Sequence, residues 1–496
     1  MEIRQYGHSV TEPPPPRRRR RWPRRVLVTA LAGGVAAGAV LMLRPDGARR
    51  PARPPAAGPQ AQAQAPARAL TAVTAGLPAA LPDLASLIGQ QESRVRARPR
   101  DARAWAVLGA AYLELGRQSA DAANYPKAER ALRTSLEVRK GGNTRAAESA
   151  EDAVSLEGLA SLANARRDFP AAKRYGEQAQ KLAPKRWSAY PPLIDAYNGL
   201  GDYKSARGAL DKLTGLRAGA AVRPAVMARA SAVYRDRGWR EDAVAQLTDA
   251  AATARTPAEQ ASYLTGVGQL AWERGDREDA LRHFTAALRL DPGRRAALAG
   301  KGRALAALGR TDEAIAAYRT AVARRPDPQD ALELGELYES LGMFPAAQAQ
   351  YDLVRTRARQ AVAGGVDEEL LIGQFEADHG DPREAVERLR EEWARQPGIE
   401  VADALGWALH RVGEDDEALE FASIATDRTK GGGVRSALYV FHRGMIEREL
   451  DEHGPARRHL QEALRISPYF SPLREPAARA ALQELGDVPD EPLPAS

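Results

Sequence analysis

The chain has 496 residues, of which 44% are hydrophobic and 28% charged, as in soluble globular proteins. It contains no cysteine, which excludes disulfides, thiolate zinc sites, iron–sulfur clusters and thiol nucleophiles. Residues 1–100 hold 17 basic and 5 acidic side chains, whereas residues 101–496 hold 55 and 60, so the basic character belongs to the first hundred residues and gives no reason to expect nucleic-acid binding.

The N-terminus has the pattern of a membrane anchor. Residues 26–43 form a run of eighteen uncharged residues, VLVTALAGGVAAGAVLML, which as a helix would span about 27 Å, close to the thickness of a hydrocarbon core. Seven arginines lie shortly before this run and only Arg44 follows it directly. The positive-inside rule then predicts a single-pass protein of the cell membrane, with a cytoplasmic basic tail at 1–25 and an extracytoplasmic body.

Three alternatives to an uncleaved anchor remain open. A cleaved signal peptide has a shorter apolar core and a nearby small-x-small site, but the first good A-x-A here is Ala61-Gln62-Ala63, far downstream. Arg24-Arg25 resembles part of a twin-arginine export signal. The arginine run could also be a nucleic-acid patch, although the adjacent apolar span explains it better.

Residues 44–80 differ in composition from the rest of the chain. They consist largely of Pro, Ala, Gln and Gly, with few large apolar residues that could form a core. This composition predicts a disordered Pro/Ala-rich linker. A lead-in helix is expected within 81–100, where Leu84, Leu87 and Ile88 share one face.

The body of the chain is built from an internal repeat. The pattern G-[DRE]-x-x-x-A returns at intervals of 33 to 44 residues, with a small alanine at Ala128, Ala172, Ala206, Ala243, Ala280, Ala314, Ala347, Ala385, Ala418 and Ala456. Glycine stands five residues before this alanine in seven units, where it would end the first helix in a left-handed conformation. A bulky apolar residue usually stands four residues after it, one turn farther on the same helix face.

These motifs resemble the tetratricopeptide repeat, a helix–turn–helix unit with the signature W-x2-L-G-x2-Y, then A-x3-F, then P. The first unit has W-A-V-L-G-A-A-Y at 105–112, and the fifth has Gly268, Ala280, Phe284 and Pro292. The resemblance implies an all-α fold: a right-handed α-solenoid of about ten units over 101–470, a capping helix in 471–486 and a flexible tail at 487–496. Two departures are extra residues between Gly116 and Tyr125 and a glutamate-containing first helix in the eighth unit.

The sequence offers little chemistry for catalysis. Its seven histidines have no metal-ligand spacing, so no metal site is expected. The stretch from Gly266 to Ala271 matches G-x-G-x-x-A but falls inside a predicted first helix, whereas a dinucleotide fingerprint needs a preceding strand. We therefore predict a non-enzymatic protein without a cofactor.

The resemblance also implies a binding surface, because the first helices of tetratricopeptide units line a concave groove. The repeat register carries over nine candidate partner-binding residues: Asp195, Asn198, Arg235, Gln269, Trp272, Arg303, Glu336, Trp407 and His410. The alternative for each is a solvated helix face, and for the two tryptophans it is packing in the core. Trp272 and Trp407 are the strongest candidates, since tryptophans dominate binding hot spots.

These features predict a membrane-anchored scaffold that binds a protein or peptide in its groove. A more specific alternative is an envelope-assembly factor, similar to those of cytochrome c maturation, which holds a client chain. That alternative rests on the resemblance of the segment Arg98–Gly116 to the opening of such proteins. The identity of the partner does not follow from the residues.

Overall fold

The computed structural model describes residues 59–140, 147–216, 219–324, 327–429 and 433–486, all within a single unit of the chain. The predicted basic tail at 1–25, the predicted membrane span at 26–43 and the predicted tail at 487–496 lie outside these ranges. Of the helices that are described, none combines the length and apolarity needed to cross a bilayer.

Every regular element in the described ranges is helical. The α-helices, in chain order, are α1 Pro59–Thr74, α2 Leu81–Ala97, α3 Ala102–Ser119, α4 Tyr125–Lys140, α5 Ala147–Ala165, α6 Phe169–Leu182, α7 Tyr190–Gly199, α8 Tyr203–Gly215, α9 Arg223–Asp236, α10 Arg240–Thr253, α11 Pro257–Glu273, α12 Arg277–Leu290, α13 Arg295–Ala307, α14 Thr311–Arg324, α15 Pro328–Ser340, α16 Phe344–Ala363, α17 Glu369–His379, α18 Pro382–Arg395, α19 Ile399–Arg411, α20 Asp415–Thr426, α21 Ala437–Glu449, α22 His453–Ile466 and α23 Arg474–Leu485. Short 3-10 turns occupy Ala122–Asn124 and Trp187–Ala189.

Twenty of these helices form ten consecutive antiparallel pairs, from repeat 1 (α3 and α4) to repeat 10 (α21 and α22). The ten signature alanines are buried, each with no more than 2% of its surface exposed. The predicted all-helical repeat architecture is therefore confirmed in the ranges that the structure describes. Helices α1 and α2 precede the repeats and α23 follows them.

The turn inside each repeat is fixed by local chemistry. Glycines such as Gly201 and Gly309 adopt φ near +70°, the left-handed conformation that ends a helix without a steric penalty. Polar side chains then cap several of the following helices; the carboxylate of Asp202 accepts a hydrogen bond from the Ser205 amide at 3.0 Å. In repeat 8, by contrast, Gly380 has φ −144°, so its turn differs from the predicted pattern.

The bulky residue after the signature alanine packs between two first helices. Phe284 of α12 lies against Gly268 of its own repeat and against Gly300 of the next, where an added Cβ would stand 2.4 Å from the Phe284 ring. The two glycines thus make room for one aromatic ring. This contact joins neighbouring repeats, and it explains why a bulky residue stands four positions after the signature alanine.

The predicted disordered linker at 44–80 needs correction, because residues 59–74 form helix α1. Alanine favours helix, and two apolar residues of α1, Ala69 and Val73, are buried in one cluster with Leu84 and Leu87 of α2. Arg68 of α1 also forms an ion pair with Asp83. The composition predicts too few apolar residues for α1 to form a core by itself. In the structure α2 provides the apolar side chains against which α1 packs.

Successive turns of the superhelix touch one another. The turn inside each of repeats 2 to 5 contacts the chain that follows the repeat five units later. The four contacts, from repeat 2 to repeat 5, are Arg166 with Asp367, Gly201 with Pro397, Gly238 with Gly433, and Gly275 with Ile466. In the first pair the Asp367 amide donates a hydrogen bond of 2.8 Å to the Arg166 carbonyl. Repeats from two successive turns of the superhelix therefore border its inner surface.

Candidate functional site

Three cavities lie along the inner surface of the superhelix. The N-terminal cavity, about 680 Å³, is lined by Asp195 and other residues between α1 and the start of repeat 6. The central cavity, about 700 Å³, is lined by residues that include Arg235, Gln269 and Trp272. The C-terminal cavity, about 500 Å³, includes Arg303 among its lining residues.

Seven of the nine predicted site residues line these cavities. Asp195 lines the N-terminal one, Arg235 and Gln269 the central one, and the others the C-terminal one, with Trp272 shared between two. Asn198 and His410 are not among the lining residues of these three cavities. His410 instead pairs with Asp415 across the turn of its own repeat, at 2.5 Å.

Three predicted residues belong to one hydrogen-bond network across four first helices. Arg235 of α9 binds both carboxylate oxygens of Glu273 at 2.7 and 2.8 Å, and Gln269 donates to the same carboxylate at 3.0 Å. Arg303 of α13 then donates to Gln269 at 2.8 Å and to Glu333 of α15 at 3.0 and 3.2 Å. Such bidentate pairs hold the inner face in a fixed geometry.

Burial and neighbouring charges act on this network in opposite directions. Burial alone would raise the pKa of Glu273, but the Arg235 guanidinium, the Gln269 hydrogen bond and the Arg303 charge together more than offset it, so the pKa lies below its usual value. Next to this pair, burial raises the pKa of Asp236 to about 6 despite the same arginine. The carboxylate of Glu273 is thus the charged partner that anchors the network.

Trp272 stands between the central and C-terminal cavities. Its ring is partly buried against the core of repeats 5 and 6, and the Arg303 guanidinium lies 5.7 Å from the ring centroid. A tryptophan that is packed on one side and faces a cavity on the other has the geometry of a binding anchor. Trp272 thus lines two of the cavities on the inner surface.

Trp407 lies at the cavity wall but belongs mainly to the core. It is 8% exposed and packs in the cluster that contains Leu405 and Phe441. Its indole N–H donates to Asp378 at 2.9 Å, and its ring stacks on His442 with centroids 4.2 Å apart. Packing in the core, the alternative given above for Trp407, therefore describes most of its ring, because Phe441 and His442 of α21 lie against it.

Asp195 forms an ion pair with the next repeat, and Glu336 forms one with a distant part of the chain. Asp195 pairs with Arg229 of α9 at 2.5 Å. Glu336 of α15 lies 3.5 Å from Arg474, which also contacts Asp378 of α17. Sequence reasoning missed Arg474, because its partners lie about a hundred residues away and are brought together only by the superhelix.

The glycines of the G-x-G-x-x-A stretch have a packing role. Gly266 and Gly268 lie within α11, where an added Cβ would stand 2.6 Å from Leu247 and 2.8 Å from Phe284. A dinucleotide site requires a strand before these glycines, whereas here the residues before them belong to the same helix, α11.

The tetratricopeptide repeat family model matches residues 268–331, which span parts of repeats 5 and 7 and all of repeat 6. No curated protein matches the sequence. Among solved structures, an APC/C Cut9–Hcn1 hetero-tetramer is 16% identical with a TM-score of 0.39, over 82% of this chain and 83% of that one. A tetratricopeptide repeat protein from Parabacteroides merdae is 17% identical with a TM-score of 0.32, over 53% and 99%.

A human IFIT1 dimer with PPP-AAAA is 13% identical with a TM-score of 0.42, over 81% of this chain and 94% of that one. These scores are too low to carry an inference about partners. The family match, together with the ten helical pairs, supports a tetratricopeptide repeat protein.

Proposed function

We propose that this chain is a non-enzymatic scaffold, anchored in the cell membrane by residues 26–43, that binds a protein or peptide along the inner surface of its repeats. The observation that carries the proposal is the inner surface itself. Its cavities combine partly buried aromatic rings with charged side chains that are held by fixed hydrogen bonds. Such surfaces suit an extended chain better than a small substrate.

Trp272 gives the most direct test of the binding surface. A photo-crosslinking amino acid at position 272, in the full-length protein in living cells, should capture a specific protein. The control is the same amino acid at Arg282 on the second helix of the same repeat, whose side chain is 70% exposed. Capture of the same proteins at both positions, or of none at 272, would contradict an inner binding surface.

The proposed location needs a separate test. The arginine asymmetry around residues 26–43 implies that the repeats lie outside the cytoplasm. Protease added to intact spheroplasts should then degrade the repeats, whereas a cytoplasmic marker protein stays intact. Full protection of the repeats would refute this topology and leave the binding proposal untouched.

A further inference from the structure

Residues 467–474, which link repeat 10 to α23 and include Arg474, the first residue of α23, extend along the C-terminal cavity; we call them the C-terminal strap. Its Tyr469 ring lies 4.1 Å from the guanidinium of Arg277, which begins α12 in repeat 5. Its Phe470 ring lies 5.5 Å from Phe441 of repeat 10. The strap thus contacts two repeats that are distant in the sequence, as a bound peptide would.

The last residue of the strap places a guanidinium between two carboxylates. Arg474 contacts Glu336 of repeat 7, at 3.5 Å, and Asp378 of repeat 8. The side chains of all three residues are mostly buried, with 13% to 19% of their surface exposed. A guanidinium can bridge two carboxylates with separate N–H groups, which an ammonium does less well.

The remaining charge of the C-terminal cavity is acidic. Besides Arg474 its lining holds the carboxylates of Glu333, Glu336, Asp378, Asp403 and Glu475 and one other arginine, Arg303. Arg303 is already held by Glu333. If the strap withdrew, the cavity would present unneutralised carboxylates beside aromatic rings, and it would select a cationic occupant.

A second feature of the cavity also indicates a ligand. His442 lines it, and the Nδ1 atom of its ring lies 3.0 Å from Asp403. The other ring nitrogen, Nε2, is buried and has no hydrogen-bond partner among the described residues. With Nδ1 protonated toward Asp403, Nε2 is an acceptor, suited to an N–H group of an incoming chain.

We propose that the C-terminal cavity recognises an arginine-bearing extended segment of a partner protein, and that the strap occupies this site as a built-in competitor. Arg474 stands in for the arginine of the partner, between Glu336 and Asp378. The inference rests on the proposed function and names the chemistry of its partner. Binding then requires the strap to leave the cavity.

The test uses the full-length protein in detergent micelles and a fluorescent peptide with the sequence of residues 467–476, SPYFSPLREP. Its control is the same peptide with the arginine replaced by glutamine. Fluorescence anisotropy is measured on the wild type, on Arg474→Gln and on the double variant Arg474→Gln/Asp378→Asn. We expect Arg474→Gln to bind the arginine peptide at least about tenfold more tightly than the wild type does, and the double variant to lose most of that gain.

The glutamine peptide should bind Arg474→Gln at least about tenfold more weakly than the arginine peptide. Equal binding of both peptides, or no binding by a variant with an unchanged circular dichroism spectrum, would overturn the proposal. If Arg474→Gln does not fold, Tyr469→Ala replaces it, because that ring is 36% exposed. Loosening the strap in this way should tighten binding of the arginine peptide about threefold or more, and affinity equal to that of the wild type would also overturn the proposal.

The peptide test fails separately from the test of the scaffold. If a protein is captured at residue 272 but the arginine peptide is not preferred, only the strap proposal is refuted. If no protein is captured at residue 272, the proposed scaffold function is refuted, regardless of the peptide affinities.

Discussion

At the scale of single residues, Trp407 shows how one side chain can serve both packing and a cavity wall. Its ring is buried against His442 and Phe441 and its indole N–H is bonded to Asp378. Trp407→Ala should therefore cost about 3–5 kcal/mol and lower the thermal midpoint, and Trp407→Phe should recover part of the loss. Circular dichroism melts provide the measurement; an unchanged midpoint in Trp407→Ala would show that the ring is not part of the core.

Glu368 makes the stability sensitive to pH. Burial, followed by the nearby Asp327 carboxylate, raises its pKa to about 7. The folded state then keeps this proton at pH values where the unfolded chain has lost it, so stability is lost as the pH rises from about 4.5 to about 7. The contribution of this residue is up to about 1.4 kcal/mol per pH unit within that window.

Glu368→Gln should remove this contribution. Denaturant unfolding at pH 5 and pH 7 should show that the variant loses less stability than the wild type over that interval. The matched control is Glu278→Gln, at a surface carboxylate that is 63% exposed. Parallel pH dependences for Glu368→Gln and the wild type would rule out a raised pKa at this position.

At the scale of elements, the turn glycines have two distinct roles. Gly238 and Gly309 have nearly the same φ, 74° and 72°, but an added Cβ at Gly238 would stand 2.3 Å from the Gly433 carbonyl, whereas none of the described atoms lies within 4 Å at Gly309. Alanine should cost roughly 1–2 kcal/mol at both positions because of the left-handed backbone. Only at Gly238 does it also disturb the contact with the loop after repeat 9.

Gly238→Ala should therefore destabilise the protein more than Gly309→Ala, by about 1–3 kcal/mol. Gly433→Ala should also be destabilising, because its Cβ would meet the Arg237 carbonyl at 2.3 Å. Thermal melts of the three variants provide the comparison. Equal losses at positions 238 and 309 would show that contact between turns of the superhelix adds no stability.

Elements whose signals are local could be predicted from the sequence, and contacts between turns could not. The signature alanines and Gly201 marked the helices and turns because each acts on its immediate neighbours. Helix α1 was missed because its apolar residues are few, and its stability depends on the partner helix α2. Arg474 was missed for a related reason, since its carboxylates are adjacent only in the folded superhelix.

At the scale of the whole molecule, contacts between successive turns of the superhelix border its inner surface. The repeat register predicts Arg235, Gln269 and Arg303 on this surface, and in the structure they line its cavities and are joined in one network. It could not show that these polar groups satisfy one another, because their partners come from adjacent repeats. Trp272 lines two of the cavities and is partly buried against the core of repeats 5 and 6.

The central claim is tested most directly by one measurement. It is the affinity of wild-type and variant proteins for the partner that is captured at residue 272. Trp272→Ala should weaken that affinity by about 30-fold, or about 2 kcal/mol, and should lower the thermal midpoint less than Trp407→Ala does, because the Trp272 ring is only partly buried. The matched control is Trp239→Ala, which removes a 40% exposed tryptophan that is not among the lining residues of the three cavities and should leave the affinity unchanged. An affinity that is the same in Trp272→Ala as in the wild type would contradict binding along the inner surface.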